Sequence, residues 1–209
     1  RRMDRGKVTT FAELEAGKPF SRYLDVDGDA IPYRTYPGTH PSRGAFFTRG
    51  TSRNRHAVYS EEGKDYVDNM DRLVAKFETA KRHVPAPVIR QASRPTKYGV
   101  IYFGSTSVAM DEALLRMARQ GIELDALRLR AYPFQDSVLD FIAQHERTFV
   151  VEQNRDAQLR TLLLDTTRVD PARIDSILHY DGTPITARFI MQTIGERVRA
   201  AGPHLKVIA

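Results

Sequence analysis

The sequence predicts an α/β fold: a mainly parallel sheet with helices on both faces, preceded by an irregular arm and one long helix. Three observations predict it. Apolar runs at 100–103, 124–129, 148–151 and 174–178 alternate with amphipathic stretches near 108–120, 136–145, 156–165 and 184–201. A βαβαβαβα order of that kind argues parallel strands covered on both sides. Residues 1–60, by contrast, are rich in Gly, Pro, Asp and Arg and have little sustained periodicity. Between these textures, residues 61–82 place Tyr66, Met70, Leu73, Val74 and Phe77 on one helical face, with Asp68, Asp71, Arg72 and Lys76 largely elsewhere.

Taken in order, "TTFAELEAG" predicts a short helix with Thr10 as N-cap and Glu13 completing a capping box. The long helix at 61–82 follows. Then "HVPAPVIRQASRPT", with Pro85, Pro87 and Pro95 among polar residues, reads as a linker. The expected division is an arm, arginine-rich loop, long helix and linker over 1–95, and an α/β domain over 96–209. Gly121 sits where a C-cap glycine would end the first helix of that domain. Pro184 sits where the last helix should start, where its missing N–H costs nothing.

Composition narrows the function classes. The 209 residues are 41% hydrophobic and 28% charged, ordinary globular material. No apolar run approaches the roughly 20 residues of a membrane span. With zero cysteines, the chain offers no disulfide, thiolate metal site, iron–sulfur ligand or thiol nucleophile. A cytoplasmic location is the expectation. The formal charge of +6 invites a nucleic-acid reading, but Arg and Lys are interspersed with acids and only 43–55 is basic without them. A solvated basic surface or an acidic partner is the simpler explanation. The chain opens on Arg-Arg-Met-Asp-Arg and is read as a piece of something longer.

Four stretches carry candidate chemistry. The turn Gly104-Ser105-Thr106-Ser107 passes from strand to helix as a phosphate cradle does. It lacks the lysine of a P-loop and the spacing of a dinucleotide fingerprint, and Asp111 and Glu112 early in the helix repel an anion. An ordinary capped turn is therefore favoured. "DVDGDA" at 25–30 glances at a calcium loop, but its glycine comes too early and its twelfth position is Tyr36. In "VVEQN", Glu152, Gln153 and Asn154 stand at the carboxyl end of a strand, the edge where open α/β sheets bind ligands. A lone Glu there equally suits helix capping. The loop at 32–56 sets Arg34, Arg43, Arg49, Arg53 and Arg55 among Gly, Pro, Thr and aromatic residues. Guanidinium forks suit carboxylates and phosphates, while an arm packed on a partner subunit would look the same. The six histidines show neither HxxxH nor HExxH spacing, so no metal site is expected.

Those residues in order resemble a known family. "VIYFGSTSVAMDEALLRMARQGIELDALRLRAYPFQDSVLDFIAQHERTFVVEQNRDAQLRTLL" is similar to the transketolase C-terminal-like domain of the alpha subunit of 2-oxoacid:ferredoxin oxidoreductases. Matching positions include Gly104, Ser105, Glu112, Ala113, Gly121, Pro133, Phe134, Glu152, Asn154, Gln158 and Leu159. Upstream, "RYLDVDGDAIPYRTYPGTHPSRGAFFTRGTS" and "YVDNMDRLVAKFETAK" resemble the segment preceding that domain in the 2-oxoglutarate type, and "ILHYDGTPITARFI" resembles its ending. Two positions depart. Arg53-Asn54-Arg55 replace the His-Asp-Glu of many relatives, which points to the fused-subunit 2-oxoglutarate branch and carries no acidic role over. Ala157 replaces the glycine usual before Gln-Leu.

The resemblance implies oxidative decarboxylation of a 2-oxoacid, with coenzyme A accepting the acyl group and ferredoxin the electrons. It implies thiamine diphosphate, magnesium and a 4Fe-4S cluster in the complex, held mainly by the beta subunit and none by this chain alone. It also implies partners: that beta subunit, the rest of the alpha subunit and ferredoxin, in a dimer of heterodimers. The family's Tyr-Pro-Ile-Thr-Pro substrate motif is missing, so the chain is expected to be the C-terminal portion of an alpha subunit, its end of the thiamine-pyrimidine-type region lying within 1–95. Arg34, Thr48, Arg49, Arg53 and Asn54 become the candidates for substrate- or partner-proximal positions. Gly104, Ser105, Glu152 and Asn154 are the candidate strand-end contacts. Two other readings stay open: a non-catalytic interaction module docking an acidic partner, and a nucleic-acid binder using 43–55.

Overall fold

A computed structural model describes residues 4–46 and 52–201. The chain divides into two compact units, Arg1–His83 and Val84–Ala209.

The first unit carries α1 (Phe11–Glu15) and α2 (Gly63–Ala80) in otherwise irregular chain. The capping box is present: Glu13 N–H donates to Thr10 Oγ1 at 3.3 Å, and Thr10 N–H donates to the Glu13 carboxylate at 2.7 Å. Lys18 also reaches that carboxylate at 2.7 Å. The Lys18 hydrogen bond, followed by the Thr10 N–H, favours the charged form and lowers the Glu13 pKa from 4.5 to about 2. In the acidic turn, Asp25 accepts from the N–H groups of Gly28 and Ala30 at 2.9 and 2.8 Å. The Lys7 ammonium lies 2.6 Å from both Asp27 and Asp29, so two of the three clustered acids Asp25, Asp27 and Asp29 already pair with a cation.

Helix α2 is docked the unexpected way round. Its polar residues face its own unit: Thr79 Oγ1 donates to Asp29 O at 2.7 Å, Arg72 Nη1 to Ala30 O at 3.4 Å, and Asn69 Nδ2 to Arg53 O. Its apolar stripe is exposed, Val74 at 67% and Phe77 at 50%, with Tyr66, Val67 and Met70 alongside. The spacing identified the helix correctly, but periodicity alone does not say what covers the apolar face.

The second unit is the expected α/β layer. Strands β1 (Val88–Arg90), β2 (Tyr98–Phe103), β3 (Asp125–Leu129), β4 (Arg147–Glu152) and β5 (Ile174–Leu178) form one sheet in the order β1-β3-β2-β4-β5. β2 pairs in parallel with β3 and β4, and β4 with β5, while β1 runs antiparallel along β3. Helices α3 (Thr106–Arg119) and α6 (Ala187–Ala201) cover one face, packing Met110, Met117, Ile190 and Ile194 on Val100, Phe149 and Ile177. On the other face α4 (Asp136–Ala143) and α5 (Gln158–Thr167) bring Phe141, Ile142 and Leu163 against Ile101, Leu127 and Val150. Strand residues thus alternate between two apolar clusters, as a sheet buried on both sides requires.

Two details correct the sequence reading. The stretch read as a linker contains β1. Three residues between prolines show no periodicity, yet they add an edge strand to β3, and edge positions tolerate flanking prolines. Pro184 does not start α6, which begins at Ala187; Phe189 N–H donates to Thr186 Oγ1 at 3.2 Å, so Thr186 is the cap. Gly121, at φ +78°, does close α3. Its N–H bonds Ala118 O and that of Ile122 bonds Met117 O, both at 3.0 Å, which is the Schellman arrangement.

Candidate functional site

The carboxyl edge of the sheet is where its strand order reverses. β2 crosses over to β3 on one side, and β3 then crosses back past β2 to β4. In open α/β sheets the crevice at that reversal, between the ends of β2 and β4, is the usual ligand position. Here a side chain bridges it. Gln153, just after β4, donates from Nε2 to Ser105 Oγ and Thr106 Oγ1, each at 3.1 Å, while its Oε1 accepts from Ile185 N–H at 3.5 Å.

Each predicted strand-end residue has a defined place there. Gly104 turns the chain at φ +59°, a conformation that disfavours any side chain. Ser105 is the N-cap residue of α3, but its hydroxyl makes no cap bond and instead receives Gln153. Glu152 is fully buried and accepts from Leu159 N–H at 2.6 Å, Arg160 N–H at 3.0 Å and Asn154 Nδ2 at 2.9 Å. Asn154 Oδ1 in turn accepts from Asp156 N–H and Gln158 N–H at 3.1 and 3.2 Å. Glu152 and Asn154 therefore satisfy the N–H groups of the first turn of α5, the groups a bound phosphate would otherwise take. Ala157 stands just before that turn in the left-handed conformation, φ +50°.

Beside the bridged crevice lies an open cleft of about 460 Å³. Phe103, Leu129, Tyr132, Phe134, Leu159 and Leu162 make it mainly apolar. Phe103, Tyr132 and Leu162 are also exposed large apolar side chains, so the cleft suits an apolar group more than a charged one. At the opposite, amino edge His145 is buried, with Nδ1 2.6 Å from Phe141 O and Nε2 3.1 Å from Asp125. Asp125 also accepts from Ala92 N–H at 2.7 Å, tying the β1 segment to that edge. This histidine works in the scaffold.

In the first unit the arginine loop is used largely to fold itself. Arg34 donates from Nη2 to Arg5 O, and its backbone pairs with Lys7 and Thr9 at 3.0 and 2.9 Å. Arg43 Nη1 donates to Leu14 O at 2.6 Å at the end of α1. His40 Nδ1 accepts from the N–H groups of Ser42 and Arg43, and its Nε2 meets Glu15 at 2.8 Å. Arg53 Nη1 donates to Tyr23 OH at 3.2 Å, and Arg55 pairs with Asp68 at 2.6 Å. Asn54 Oδ1 accepts from His56 N–H and Val58 N–H, closing a turn. Thr48 and Arg49 lie outside the described residues. Arg34 and Arg53 are thus engaged with different parts of the unit: residues 5–9 for one, Tyr23 and α2 for the other. The sequence did not single out Gln153 as the bridge, the cleft beside it, or Arg22 and Arg72 around Tyr23. Nothing in local spacing marks them, because each depends on chain segments distant in sequence.

No family model matches the sequence, and no curated protein matches it. Among solved structures, the 2-oxoglutarate:ferredoxin oxidoreductase from Magnetococcus marinus, solved with 2-oxoglutarate, coenzyme A and succinyl-CoA bound, superposes with a TM-score of 0.74. The overlay covers 87% of this chain at 19% identity and 31% of that one, so the chain spans about a third of the length of the protein it matches. The fold is shared. The alpha chain of a probable 2-oxoacid ferredoxin oxidoreductase from Thermoplasma acidophilum matches at a TM-score of 0.38, with 20% identity over 55% of this chain and 97% of that one. That overlay is too loose to argue from.

Proposed function

We infer that the chain is part of the alpha subunit of a 2-oxoglutarate:ferredoxin oxidoreductase. Such an enzyme decarboxylates a 2-oxoacid to its acyl-CoA and passes electrons to ferredoxin. One coincidence carries the reading: the motif series from "RYLDVDGDAIPYRT" through "VVEQN" to "ILHYDGTPIT" runs in family order along a chain whose fold overlays such an oxidoreductase over 87% of its length. The 2-oxoglutarate, coenzyme A and succinyl-CoA bound to that protein support the same substrate class here.

The reading assigns this chain a buttressing and subunit-contacting role, with residues 96–209 as the transketolase C-terminal-like domain. The redox and thiamine groups belong to the beta subunit, and the residues present do not fit them. There is no cysteine to ligate a cluster. The first turn of α5 is filled by Glu152 and Asn154 rather than open to a diphosphate. Lys7 stands among the clustered acids where a divalent ion would need to sit. Contact with another chain is supported by α2, whose apolar stripe faces outward. A complex containing this chain and its beta partner should reduce a viologen dye with 2-oxoglutarate only when coenzyme A is present. Dye reduction independent of coenzyme A, or none, contradicts the reading. Within that complex, Arg49→Gln should lower turnover while leaving the melting temperature unchanged; unaltered turnover removes that residue from the active region.

A non-catalytic interaction module is the second reading, favoured by the same exposed stripe. The nucleic-acid reading loses ground, since Arg34, Arg43, Arg53 and Arg55 are all engaged within the chain.

A further inference from the structure

The cleft at the carboxyl edge of the sheet has walls of two kinds. Its floor belongs to the core: Leu129 and Phe134 are each 7% exposed and sit in the apolar cluster with α4 and α5. Its rim does not. Phe103, at the end of β2, and Leu162, on α5, leave 41% and 37% of their surface open, although both border a concave site. Single apolar side chains on open surface are ordinary. Gathered around a cavity of about 460 Å³, they form the kind of wall that the apolar body of a small molecule covers.

These walls are set before any ligand arrives. Glu152 and Asn154 hold the first turn of α5 through the N–H groups of Leu159 at 2.6 Å and Gln158 at 3.2 Å. Leu159 packs on the same apolar cluster as Leu129 and Phe134. Tyr132 meets Phe134 edge to face, with ring centres 5.2 Å apart. Gly104 adds no side chain, and a methyl group there would meet nothing within 4 Å, so the cleft is open at the end of β2.

Two polar side chains border the cleft with nothing to bind. Arg130 is exposed, and among the described residues its guanidinium makes neither hydrogen bond nor ion pair. The Gln158 side-chain amide is likewise unengaged. No acidic residue lines the cleft. The carboxylate behind the first turn of α5, Glu152, is fully buried, its oxygens spent on Leu159, Arg160 and Asn154. One accessible guanidinium suits one anionic head. The N–H groups at the start of α5 that would favour a phosphate are already taken, which leaves a carboxylate as the better match.

We propose that this cleft binds an amphiphilic monocarboxylate, its acyl or aryl body lying against Phe103, Leu129, Phe134 and Leu162 and its carboxylate held at the rim by Arg130 and Gln158. The body supplies the affinity, since each fully buried methylene is worth about fourfold in binding. The head orients the molecule, because an ion pair at an exposed rim contributes little. The site does not rest on the oxidoreductase reading; it follows from the apolar walls and the single cation alone.

The test follows the methyl signals of Leu129, Ala131 and Leu159 by NMR while the 209-residue chain is titrated. Octanoate and 3-phenylpropanoate distinguish an acyl from an aryl body, and butyrate, octanol and sodium chloride are the controls. The better of the two carboxylates should shift these signals saturably, with a dissociation constant of about 1 mM or tighter. It should bind at least about tenfold more tightly than butyrate. Arg130→Gln, at an exposed side chain without bonds to lose, should weaken that carboxylate about three- to fivefold and leave octanol unchanged. Leu162→Gln should weaken the carboxylate and octanol alike. Butyrate binding as well as the longer acids, no saturable shift, or an Arg130→Gln chain that binds the carboxylate unchanged overturns the proposal. Shielding of the same methyls by the beta subunit, with none of the small molecules bound, makes the cleft a subunit contact and overturns it as well.

Discussion

The two units of this chain are built on opposite principles. In the second, two apolar clusters sandwich the sheet, and side chains such as Ile101, Leu127, Phe149 and Ile190 are fully buried. In the first, the buried apolar residues among those described are Leu14 and Ala30, alongside Thr9, Thr35 and Thr79. That unit is held by directional polar bonds: Thr35 Oγ1 to Gly44 O at 2.6 Å, Arg43 to Leu14 O, and Thr79 to Asp29 O at 2.7 Å. A net hydrogen bond contributes about 1 kcal/mol, whereas a fully buried large apolar side chain contributes about 1.5–3 kcal/mol. The difference teaches where the chain is self-sufficient. The sheet unit has its own core, and the arm has polar order with an apolar helix face turned outward.

The largest effect that could break this contrast is in the core. Ile101→Ala should cost about 2–5 kcal/mol in denaturant unfolding of the sheet unit. Val74→Ser on the exposed stripe of α2 should stay within about 0.5 kcal/mol. A cost at Val74 comparable to that at Ile101 would mean the stripe is already covered within the chain. Next in size is Glu152→Ala, which strands the N–H groups of Leu159 and Arg160 inside the unit. It should cost about 2–3 kcal/mol and loosen the start of α5, seen as faster amide exchange at those two residues. A negligible loss would show that water can replace the carboxylate and that the α5 end is open to ligands after all.

Ala157→Gly runs the other way. Ala157 holds φ +50° at a cost of about 1–2 kcal/mol that glycine avoids. Glycine's greater freedom in the unfolded chain returns about 0.4–1 kcal/mol of that. A rise in stability of up to about 1.6 kcal/mol is expected by denaturant unfolding, and a fall would show that the Ala157 methyl packs usefully. The smallest effect belongs to the arm. The Glu13 pKa is lowered from 4.5 to about 2, so its carboxylate stabilises α1 above pH 4.5 and that support is lost as pH falls toward 2. A carbon-13 titration of Glu13 should find its midpoint near 2; a midpoint near 4.5 would separate it from Lys18 and Thr10.

How much of this was legible in the sequence follows the same division. The four parallel strands and their helices announced themselves through alternating apolar runs, because burial on both faces writes hydrophobicity directly into the chain. The capping box at Thr10 and Glu13 and the glycine at 121 were legible because each is a local motif with a fixed spacing. β1 was not, since three residues between prolines form a strand only when β3 is there to pair with. The outward face of α2 was not either: Tyr66, Met70, Val74 and Phe77 predict a helix equally well whether or not their own unit covers them. At the sheet edge, Glu152 and Asn154 were visible as candidates, but their capping of α5 depends on the turn at Ala157. The cleft walled by Phe103, Leu129 and Leu162 joins segments far apart in sequence and left no local trace.

The contrast between the units is tested most directly by amide hydrogen exchange on the chain alone and in complex with an iron–sulfur-bearing beta subunit. Alone, the amides of α2 should open at far lower free energy than those of β2 and β4. At saturating partner, protection along α2 should rise by about a hundredfold while the sheet amides stay unchanged. A complex that forms without altering exchange in α2, or a chain that fails to bind such a partner at all, would contradict the subunit-contacting role assigned to the arm.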